Sequence, residues 1–300
     1  MHSLLTVHAH PDDETITTGG IMARYSRAGQ RVMCVTCTGG EEGEIVVPEL
    51  DTPTNHARLA EMRPAELRRA LERLGPIQHA WLGYRDSGMM GLPQNDAVGS
   101  LWSTDFEEAA GRLVGIVRRF RPQVIVGYNA YGGYGHPDHI RAAQLAVAAF
   151  EWAGDSERYP EQLAEGRRPW APLKLYESAW DLSRRRELAE LMRARGVSSW
   201  LSPDPDEDDV ERAERESQLA RMAEASGPLT SRVDISDLWE DKLAALREHV
   251  TQLGPEFFLL VLPADEWRHH QPTEDFTLRV SRVGVRLPED GLFAGLPAEA

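Results

Sequence analysis

The chain has 300 residues, of which 41% are hydrophobic, so it can bury the core of one large α/β domain or of two small ones. Its formal net charge of −15 disfavours a broad nucleic-acid-binding surface, and we expect no nucleic-acid partner. No apolar stretch reaches the roughly 18 residues that span a bilayer. The first residues lack the basic start and long apolar run of a signal peptide, so we expect a cytoplasmic protein without membrane attachment.

Strands and helices are predicted to alternate through the first half of the chain. The predicted elements are a strand at 4–9, a helix at 15–28, a strand at 31–38, a helix at 56–73, a short strand at 79–82, a helix at 105–120, a strand at 124–128 and a helix at 138–153. This alternation predicts an α/β, Rossmann-like fold, in which a mainly parallel sheet carries helices on both faces.

The alternation of predicted strands and helices is less regular in the second half of the chain. Here we predict strands at 173–179, 229–235, 257–262 and 276–283, and helices at 182–194, 209–225 and 238–253. Acidic residues crowd between Asp204 and Glu216, which is typical of a solvated loop and helix start. Since no repeat or low-complexity linker interrupts the chain, we interpret 1–300 as a single domain. Its core is 1–153, and 154–300 is a C-terminal elaboration that completes the sheet and the pocket.

The two cysteines, Cys34 and Cys37, lie three residues apart in the predicted strand at 31–38. Side chains on a strand alternate between its faces, so these two thiols are expected to point in opposite directions. A redox C-x-x-C motif would instead sit at a helix N-terminus, and no second pair exists to complete a four-cysteine zinc site. We therefore predict two buried, unpaired thiols.

Three polar clusters follow predicted strands directly. They are His8-Ala9-His10-Pro11-Asp12-Asp13-Glu14, the loop from Gly39 to Glu44, and Gly132-Gly133-Tyr134-Gly135-His136-Pro137-Asp138-His139. In open α/β sheets, binding sites form beyond the carboxyl ends of the strands. We therefore expect the three clusters to meet in one crevice.

The residue types in these clusters indicate metal-assisted hydrolysis. Neither His-Pro-Asp sequence offers a serine or cysteine nucleophile, and neither is basic enough to bind phosphate. Imidazoles and carboxylates are the ligands of catalytic Zn²⁺, which leaves one position open for water. A carboxylate that is not a ligand can accept the proton of that water.

The sequence resembles the LmbE-like (PIG-L) family of zinc N-deacetylases. The resemblance rests on His10-Pro11-Asp12-Asp13-Glu14 and His136-Pro137-Asp138-His139, with further matches at 38–44, at Arg85-Asp86-Ser87-Gly88-Met89 and at 129–139. It covers most of 4–153 and resumes at 229–252 and 272–296. Within the family, the chain is most similar to the mycothiol-pathway branches, a deacetylase of N-acetylglucosaminyl-inositol and an S-conjugate amidase.

The resemblance implies a role for each motif position. It assigns His10, Asp13 and His139 as ligands of Zn²⁺, with Fe²⁺ as an alternative metal. It implies that Asp12 is the general base.

The same resemblance implies that His136, oriented by Asp138, faces the developing oxyanion or protonates the leaving amine. Tyr134 is then expected near the substrate carbonyl. The positions expected to contact sugar or inositol hydroxyls are Arg63, Asp86 and Glu44.

These expectations lead to one function and two alternatives. The first is removal of an N-acetyl group from a small molecule that contains N-acetylglucosamine. The second is amidase cleavage of a cysteinyl–glucosamine amide; the C-terminal resemblance favours it, but Thr15-Ile16-Thr17-Thr18 lacks the lysine of that branch. The third is a non-catalytic sugar-binding module. We expect a small amino-sugar substrate in each case, and a homo-oligomer is compatible with the sequence.

Overall fold

Within residues 1–195 and 208–297, which the computed structural model describes, seven strands form one sheet. The strands are β1 (Ser3–His8), β2 (Arg31–Thr38), β3 (Gln78–Tyr84), β4 (Val124–Gly127), β5 (Lys174–Ala179), β6 (Ser231–Asp234) and β7 (Thr273–Ser281). Their order across the sheet is β3-β2-β1-β4-β5-β7-β6. Strands β1 to β5 are parallel, and β7 is antiparallel to both β5 and β6.

The order of the parallel strands reverses direction between β1 and β4. From β1 the chain proceeds outward through β2 and β3 on one side, and then resumes through β4 and β5 on the other. Loops that follow β1 and β4 diverge at such a point and leave a crevice, which is where α/β folds bind ligands. The fold is therefore α/β with a mostly parallel sheet, as predicted.

Ten helices connect the strands in the described part of the chain. They are α1 (Asp13–Arg27), α2 (Pro53–His56), α3 (Leu59–Leu74), α4 (Phe106–Phe120), α5 (Pro137–Trp152), α6 (Pro160–Ala164), α7 (Leu182–Ala194), α8 (Asp209–Ala225), α9 (Trp239–Leu246) and α10 (Ala264–His270). Two short 3₁₀ helices lie at Pro93–Asp96 and Ser236–Leu238. No helix among the described residues is long and apolar enough to cross a bilayer.

The sheet separates two apolar cores. Helices α1, α3 and α9 pack against one face, and helices α4 and α5 pack against the other. Cys34 belongs to the first core and Cys37 to the second, and both are buried free thiols. The prediction of two unpaired cysteines on opposite faces of β2 is confirmed, because the alternation of a strand sets the direction of each side chain.

One predicted element of the second half is too long, and another is wrong. The helix expected at 238–253 ends at Leu246, and successive turns continue to Leu253. The strand expected at 257–262 is a series of turns, closed by bonds such as Phe257 N–H to Gly254 O and Leu260 N–H to Phe257 O. A short apolar run is compatible with either a strand or buried turns, and here tertiary packing decides.

Part of the acidic segment lies within the described residues. Asp208, Asp209, Glu211, Glu214 and Glu216 are exposed, as predicted for a solvated helix start, whereas 204–207 lie outside the described residues. Asp208 caps α8: its carboxylate accepts the backbone N–H groups of Val210 and Glu211, and Glu211 bonds back to the N–H of Asp208. This reciprocal capping box satisfies donors that a helix start leaves unpaired.

A buried ion pair from the C-terminal half inserts into the middle of α1. Lys242 Nζ lies 2.6 Å from Glu274 Oε1 and donates to the carbonyl of Ile16 at 2.9 Å. The carboxylate of Glu274 accepts the backbone N–H groups of Gly20 and Ile21, each at 2.8 Å. Since such backbone groups normally bond within the helix, the pair ties α1 to α9 and β7.

We expect Lys242→Met to lower the free energy of unfolding by about 3 kcal/mol, because the substitution leaves the carboxylate of Glu274 buried without its cation. The measurement is urea denaturation followed by circular dichroism. The matched control is Arg58→Ala, which removes an ion pair to Glu61 whose side chains are 58% and 70% exposed. An exposed pair contributes less than about 1 kcal/mol. Equal losses of unfolding free energy in the two variants would contradict a stabilising role for the buried pair of Lys242 and Glu274.

Candidate metal centre

The carboxyl ends of five neighbouring parallel strands open into one cavity of about 670 Å³. Residues from all three polar clusters line it: His10 and Asp13 after β1, Glu42 after β2, and His139 after β4. The loop after β3 adds Asp86. The predicted convergence of the clusters is therefore confirmed, and its cause is the reversal of strand order between β1 and β4.

The three predicted metal ligands form a nearly equilateral triangle of donor atoms. Asp13 Oδ2 lies 3.6 Å from His10 Nδ1 and 3.3 Å from His139 Nε2, and the two nitrogens are 3.3 Å apart. Tetrahedral bonds of about 2.1 Å to Zn²⁺ place ligand atoms about 3.4 Å apart. The donor set and its spacing therefore fit one face of a tetrahedral site.

Two wider groupings of metal-binding side chains overlap this triangle. One is His10, His136 and His139, and the other is His10, Asp86, His136 and Asp138; in each, donor atoms lie within 4.8 Å of one another. We favour the set with Asp13, because its three distances match a single tetrahedral face and its carboxylate is fixed by the N–H of His10 at 2.9 Å.

The ring of His10 is oriented with one nitrogen toward the triangle. Its Nε2 lies 3.2 Å from Asp138 Oδ2 and 3.5 Å from Asp86 Oδ1. An ionised carboxylate can only accept a hydrogen bond, so Nε2 carries the proton and Nδ1 presents its lone pair to Asp13 and His139. Histidines that bind metals commonly donate their second nitrogen to a carboxylate in this way.

Asp138 contacts His136 through its backbone N–H, whereas its carboxylate takes other partners. The carboxylate of Asp138 accepts from His10 and from both the N–H and the hydroxyl of Ser87. Asp138 is also not the N-cap of α5, because Pro137 takes the first helical position and His136 becomes the cap. The Asp138 side chain therefore lies in the first turn, where it reaches the residue after β1.

The cap position fixes the tautomer assigned to His136. Its Nδ1 accepts the backbone N–H of Asp138 at 3.2 Å, so the neutral ring carries its proton on Nε2. Burial and the neighbouring rings of His10 and His139 lower the pKa of His136 to about 3. At neutral pH the side chain is therefore an uncharged donor on the cavity wall.

The adjacent carboxylates of Asp12 and Asp13 have pKa values shifted in opposite directions. Burial alone would raise the pKa of Asp13, but His139 and His10 hold it well below its usual range. Burial raises the pKa of Asp12 to about 6, although the guanidinium of Arg63, 3.3 Å away, opposes the shift. Asp12 has φ = 120°, a strained value for any residue other than glycine, and its carboxylate contacts Arg63, whereas that of Asp13 contacts the two histidines.

Comparisons with known proteins show the family to which this chain belongs. The family profile described as PIG-L, GlcNAc-PI de-N-acetylase, matches residues 5–150. The 1D-myo-inositol 2-acetamido-2-deoxy-alpha-D-glucopyranoside deacetylase of Nocardiopsis dassonvillei is 40% identical, over 97% of this chain and all of that protein. The mycothiol S-conjugate amidase of Streptomyces coelicolor is 38% identical, over 98% of this chain and 97% of its own. The chain belongs to the PIG-L family.

A solved structure shows the same fold for this PIG-L protein. The N,N'-diacetylchitobiose deacetylase of Pyrococcus horikoshii aligns with a TM-score of 0.58 and 21% identity, over 92% of this chain and 82% of that one. The family relationship identifies the chain as a hydrolase of amide bonds.

The other predicted residues of the PIG-L site lie at different distances from the triangle. Tyr134 lines the cavity, and its hydroxyl is 3.4 Å from His139 Nε2. Arg63 is buried and donates to the carbonyls of Pro11 and Gly40, so it braces two of the site loops.

The last two predicted substrate contacts, Asp86 and Glu44, lie in the loops that follow β3 and β2. Asp86 reaches His10, as described above, and accepts the N–H of Gly88 at 2.9 Å. Glu44 lies at the cavity rim with an exposed side chain, and its carbonyl accepts from Gln252. All three predicted substrate contacts therefore line the cavity, but only Glu44 has an exposed side chain.

Several residues that build the site were not predicted. Ser87 holds Asp138, and the fully buried pair of Glu14 and His249 lies behind Asp12. Ser87 and Glu14 belong to the recognised motifs, so the sequence could have indicated that they lie near the site. The sequence offered no such indication for His249, since a histidine in an expected helix does not reveal that it contacts residue 14.

We expect His139→Ala to lose metal affinity by more than about 100-fold, because it removes one of the three donors. His136→Ala should retain metal, since the ring lies outside the triangle. The measurement is metal content per chain by mass spectrometry after dialysis, with circular dichroism to establish folding. Equal metal content in the two variants would contradict the ligand assignment.

Proposed function

We propose that the protein is a zinc-dependent N-deacetylase that acts on a small N-acetylglucosaminyl-inositol-like molecule. The observation that carries the proposal is the triangle of His10, Asp13 and His139 with the carboxylate of Asp12 beside it. The deacetylase that shares 40% identity over its full length acts, by its name, on an acetamido-glucoside of inositol. We further propose that the enzyme works in the cytoplasm without a nucleic-acid partner.

The residues around the triangle can divide the chemistry of amide hydrolysis. Bound Zn²⁺ would supply Lewis acidity toward the amide carbonyl and the attacking water. Asp12, which is not a ligand in this set, accepts the proton that the water loses. The same proton can pass to the sugar nitrogen as the C–N bond breaks, so that the products are an amine and a carboxylate.

Stabilisation of the carbonyl oxygen is assigned to two side chains on the loop after β4. His136 presents Nε2–H to the cavity as a neutral donor, and Tyr134 presents its hydroxyl from the same loop. A donor directed at a developing oxyanion typically contributes about 3–4 kcal/mol to lowering the barrier. Asp138 acts indirectly in this scheme, since it fixes the ring of His10.

We expect Asp12→Asn to lower kcat by about 100- to 10,000-fold while metal content stays unchanged, because an amide cannot act as the base. The measurement is amine release from N-acetylglucosaminyl-inositol, plain N-acetylglucosamine and a mycothiol S-conjugate, with and without a chelator. The assay is run with Zn²⁺ and with Fe²⁺, since the donor set suits both.

Two outcomes would overturn the proposal. The first is wild-type activity that survives complete metal removal. The second is saturable sugar binding without turnover of any substrate in the presence of either metal, which would instead support a sugar-binding module.

A second candidate function is supported by the far wall of the cavity. Beyond the polar floor, the C-terminal half lines the wall with both polar side chains, such as Arg215 and Gln218, and apolar ones. The apolar side chains are Trp180, Leu219, Met222, Phe257 and Phe258. An amidase of the kind found in Streptomyces coelicolor is named for S-conjugates, and a bulky apolar conjugate would bury its surface against such a wall. The apolar part of this wall is the observation that supports the amidase as a second candidate.

We expect Leu219→Gln to raise KM for an aromatic S-conjugate by about 5- to 10-fold if the amidase function is correct, because apolar contact with α8 is lost. KM for N-acetylglucosaminyl-inositol should not change. The matched control is Val210→Gln on the same helix, which is 66% exposed and does not line the cavity. A conjugate that is not cleaved at all would exclude the amidase function.

A further inference from the structure

Behind Asp12 lies a fully buried pair of ionisable residues that the proposed chemistry does not use. Glu14 and His249 are both 0% exposed, and Glu14 Oε1 lies 3.0 Å from His249 Nε2. Glu14 belongs to the first turn of α1, whereas His249 belongs to the turns that follow α9. The pair therefore joins the start of the helix that carries Asp13 to the C-terminal half of the chain.

The two oxygens of Glu14 have different partners. Oε1 accepts from His249 and from the hydroxyl of Thr15, and Oε2 accepts the backbone N–H of Asp12 at 2.9 Å. Asp12 is the residue with φ = 120°. A residue with a side chain is strained at this φ, so the conformation persists only where surrounding contacts hold it. The hydrogen bond that the Asp12 N–H donates to Glu14 is such a contact.

The direction of the Asp12 side chain depends on this backbone. With φ = 120°, Asp12 and Asp13 can face different targets although they are neighbours. On the other side, the guanidinium of Arg63 is 3.3 Å from the Asp12 carboxylate and 2.7 Å from the carbonyl of Pro11. Arg63 thus holds the side chain, and Glu14 holds the peptide.

We propose that His249 and Glu14 are positioning residues, which fix the backbone of Asp12 so that its carboxylate stays off the metal and faces the attacking water. This inference rests on the proposed function, in which Asp12 is the general base. The chain of contacts runs from His249 Nε2–H to Glu14, and from Glu14 to the N–H of Asp12. The C-terminal half therefore contributes to the catalytic centre through a residue that does not touch the substrate.

A neighbouring contact separates this role from simple anchoring of the turns after α9. Glu66 on α3 is buried and accepts the N–H and the hydroxyl of Thr251, two residues after His249, at 3.1 and 2.8 Å. This contact anchors the same turns to the first half of the chain but does not reach Glu14 or Asp12. Glu66→Gln is therefore a matched control for a buried contact of the same segment.

The experiment compares Glu14→Gln, His249→Leu and His249→Gln with Glu66→Gln in the full-length, metal-loaded protein. The readouts are kcat and KM for the substrate that the wild type cleaves, bound metal per chain, and melting temperature. Glutamine at position 14 has one acceptor oxygen where the carboxylate has two, so either the bond to Asp12 or the bond to His249 is lost.

We expect kcat to fall by about 10- to 100-fold in Glu14→Gln and His249→Leu, with KM within about twofold and metal content unchanged. His249→Gln, which restores an N–H donor, should recover most of the loss. Glu66→Gln should keep kcat within about twofold of the wild type even where its melting temperature falls. A crystal structure of Glu14→Gln should show the Asp12 carboxylate displaced.

The outcomes distinguish this inference from the proposed function. A wild type that cleaves no amide overturns the proposed function itself. A wild type that is active, together with wild-type kcat in Glu14→Gln, overturns the positioning role alone. A kcat loss of equal size in Glu66→Gln overturns it as well, since the effect would then follow from loosening the turns. If His249→Leu does not fold, Glu14→Gln decides the question by kinetics and by its structure.

Discussion

The structure depends on one close contact of donor atoms, in which two imidazole nitrogens and a carboxylate oxygen lie 3.3–3.6 Å from one another at the floor of a cavity. These atoms come from loops more than a hundred residues apart in sequence. Only adjacent parallel strands bring them together, because β1 and β4 deliver their carboxyl ends to the same edge of the sheet. Packing three polar side chains this closely requires either charge separation among them or a shared cation.

The residues around the triangle give its ligands and the neighbouring Asp12 different hydrogen-bond partners and different pKa shifts. Asp138, which accepts the N–H of Ser87, also accepts from the ring of His10, so one ring nitrogen is committed to a carboxylate and the other faces the triangle. Asp12 and Asp13 are neighbours in sequence, yet burial raises the pKa of one and the adjacent histidines lower the pKa of the other. Two similar groups whose environments shift their pKa in opposite directions are the arrangement expected of a base beside a ligand.

The second half of the chain braces this centre from outside. The ion pair of Lys242 and Glu274 inserts into α1, and His249 reaches Glu14 at the start of the same helix. The same half also supplies β5, β7 and the apolar wall of the cavity. The contacts that brace the centre and part of the cavity wall thus come from the segment whose sequence pattern is weakest, while the donor atoms come from the segment whose pattern is strongest.

The sequence alone determined the features that depend on local patterns. Alternating strands and helices predicted the parallel sheet, the period of β2 predicted opposite faces for Cys34 and Cys37, and the His-Pro-Asp motifs predicted which residues would meet. Those features follow from the period of a strand and from the rule that ligands bind at its carboxyl end, and both can be read from a few adjacent residues.

Only the tertiary structure decided which partner each side chain takes. The carboxylate of Asp138 contacts His10, whereas His136 bonds to the backbone N–H of Asp138, because Pro137 sets the start of α5 and turns the carboxylate toward β1. The apolar run at 257–262 forms turns on the cavity wall, and His249 lies outside the expected helix, bonded to Glu14. Such pairings are set by contacts across more than a hundred residues of chain, and no local period encodes them.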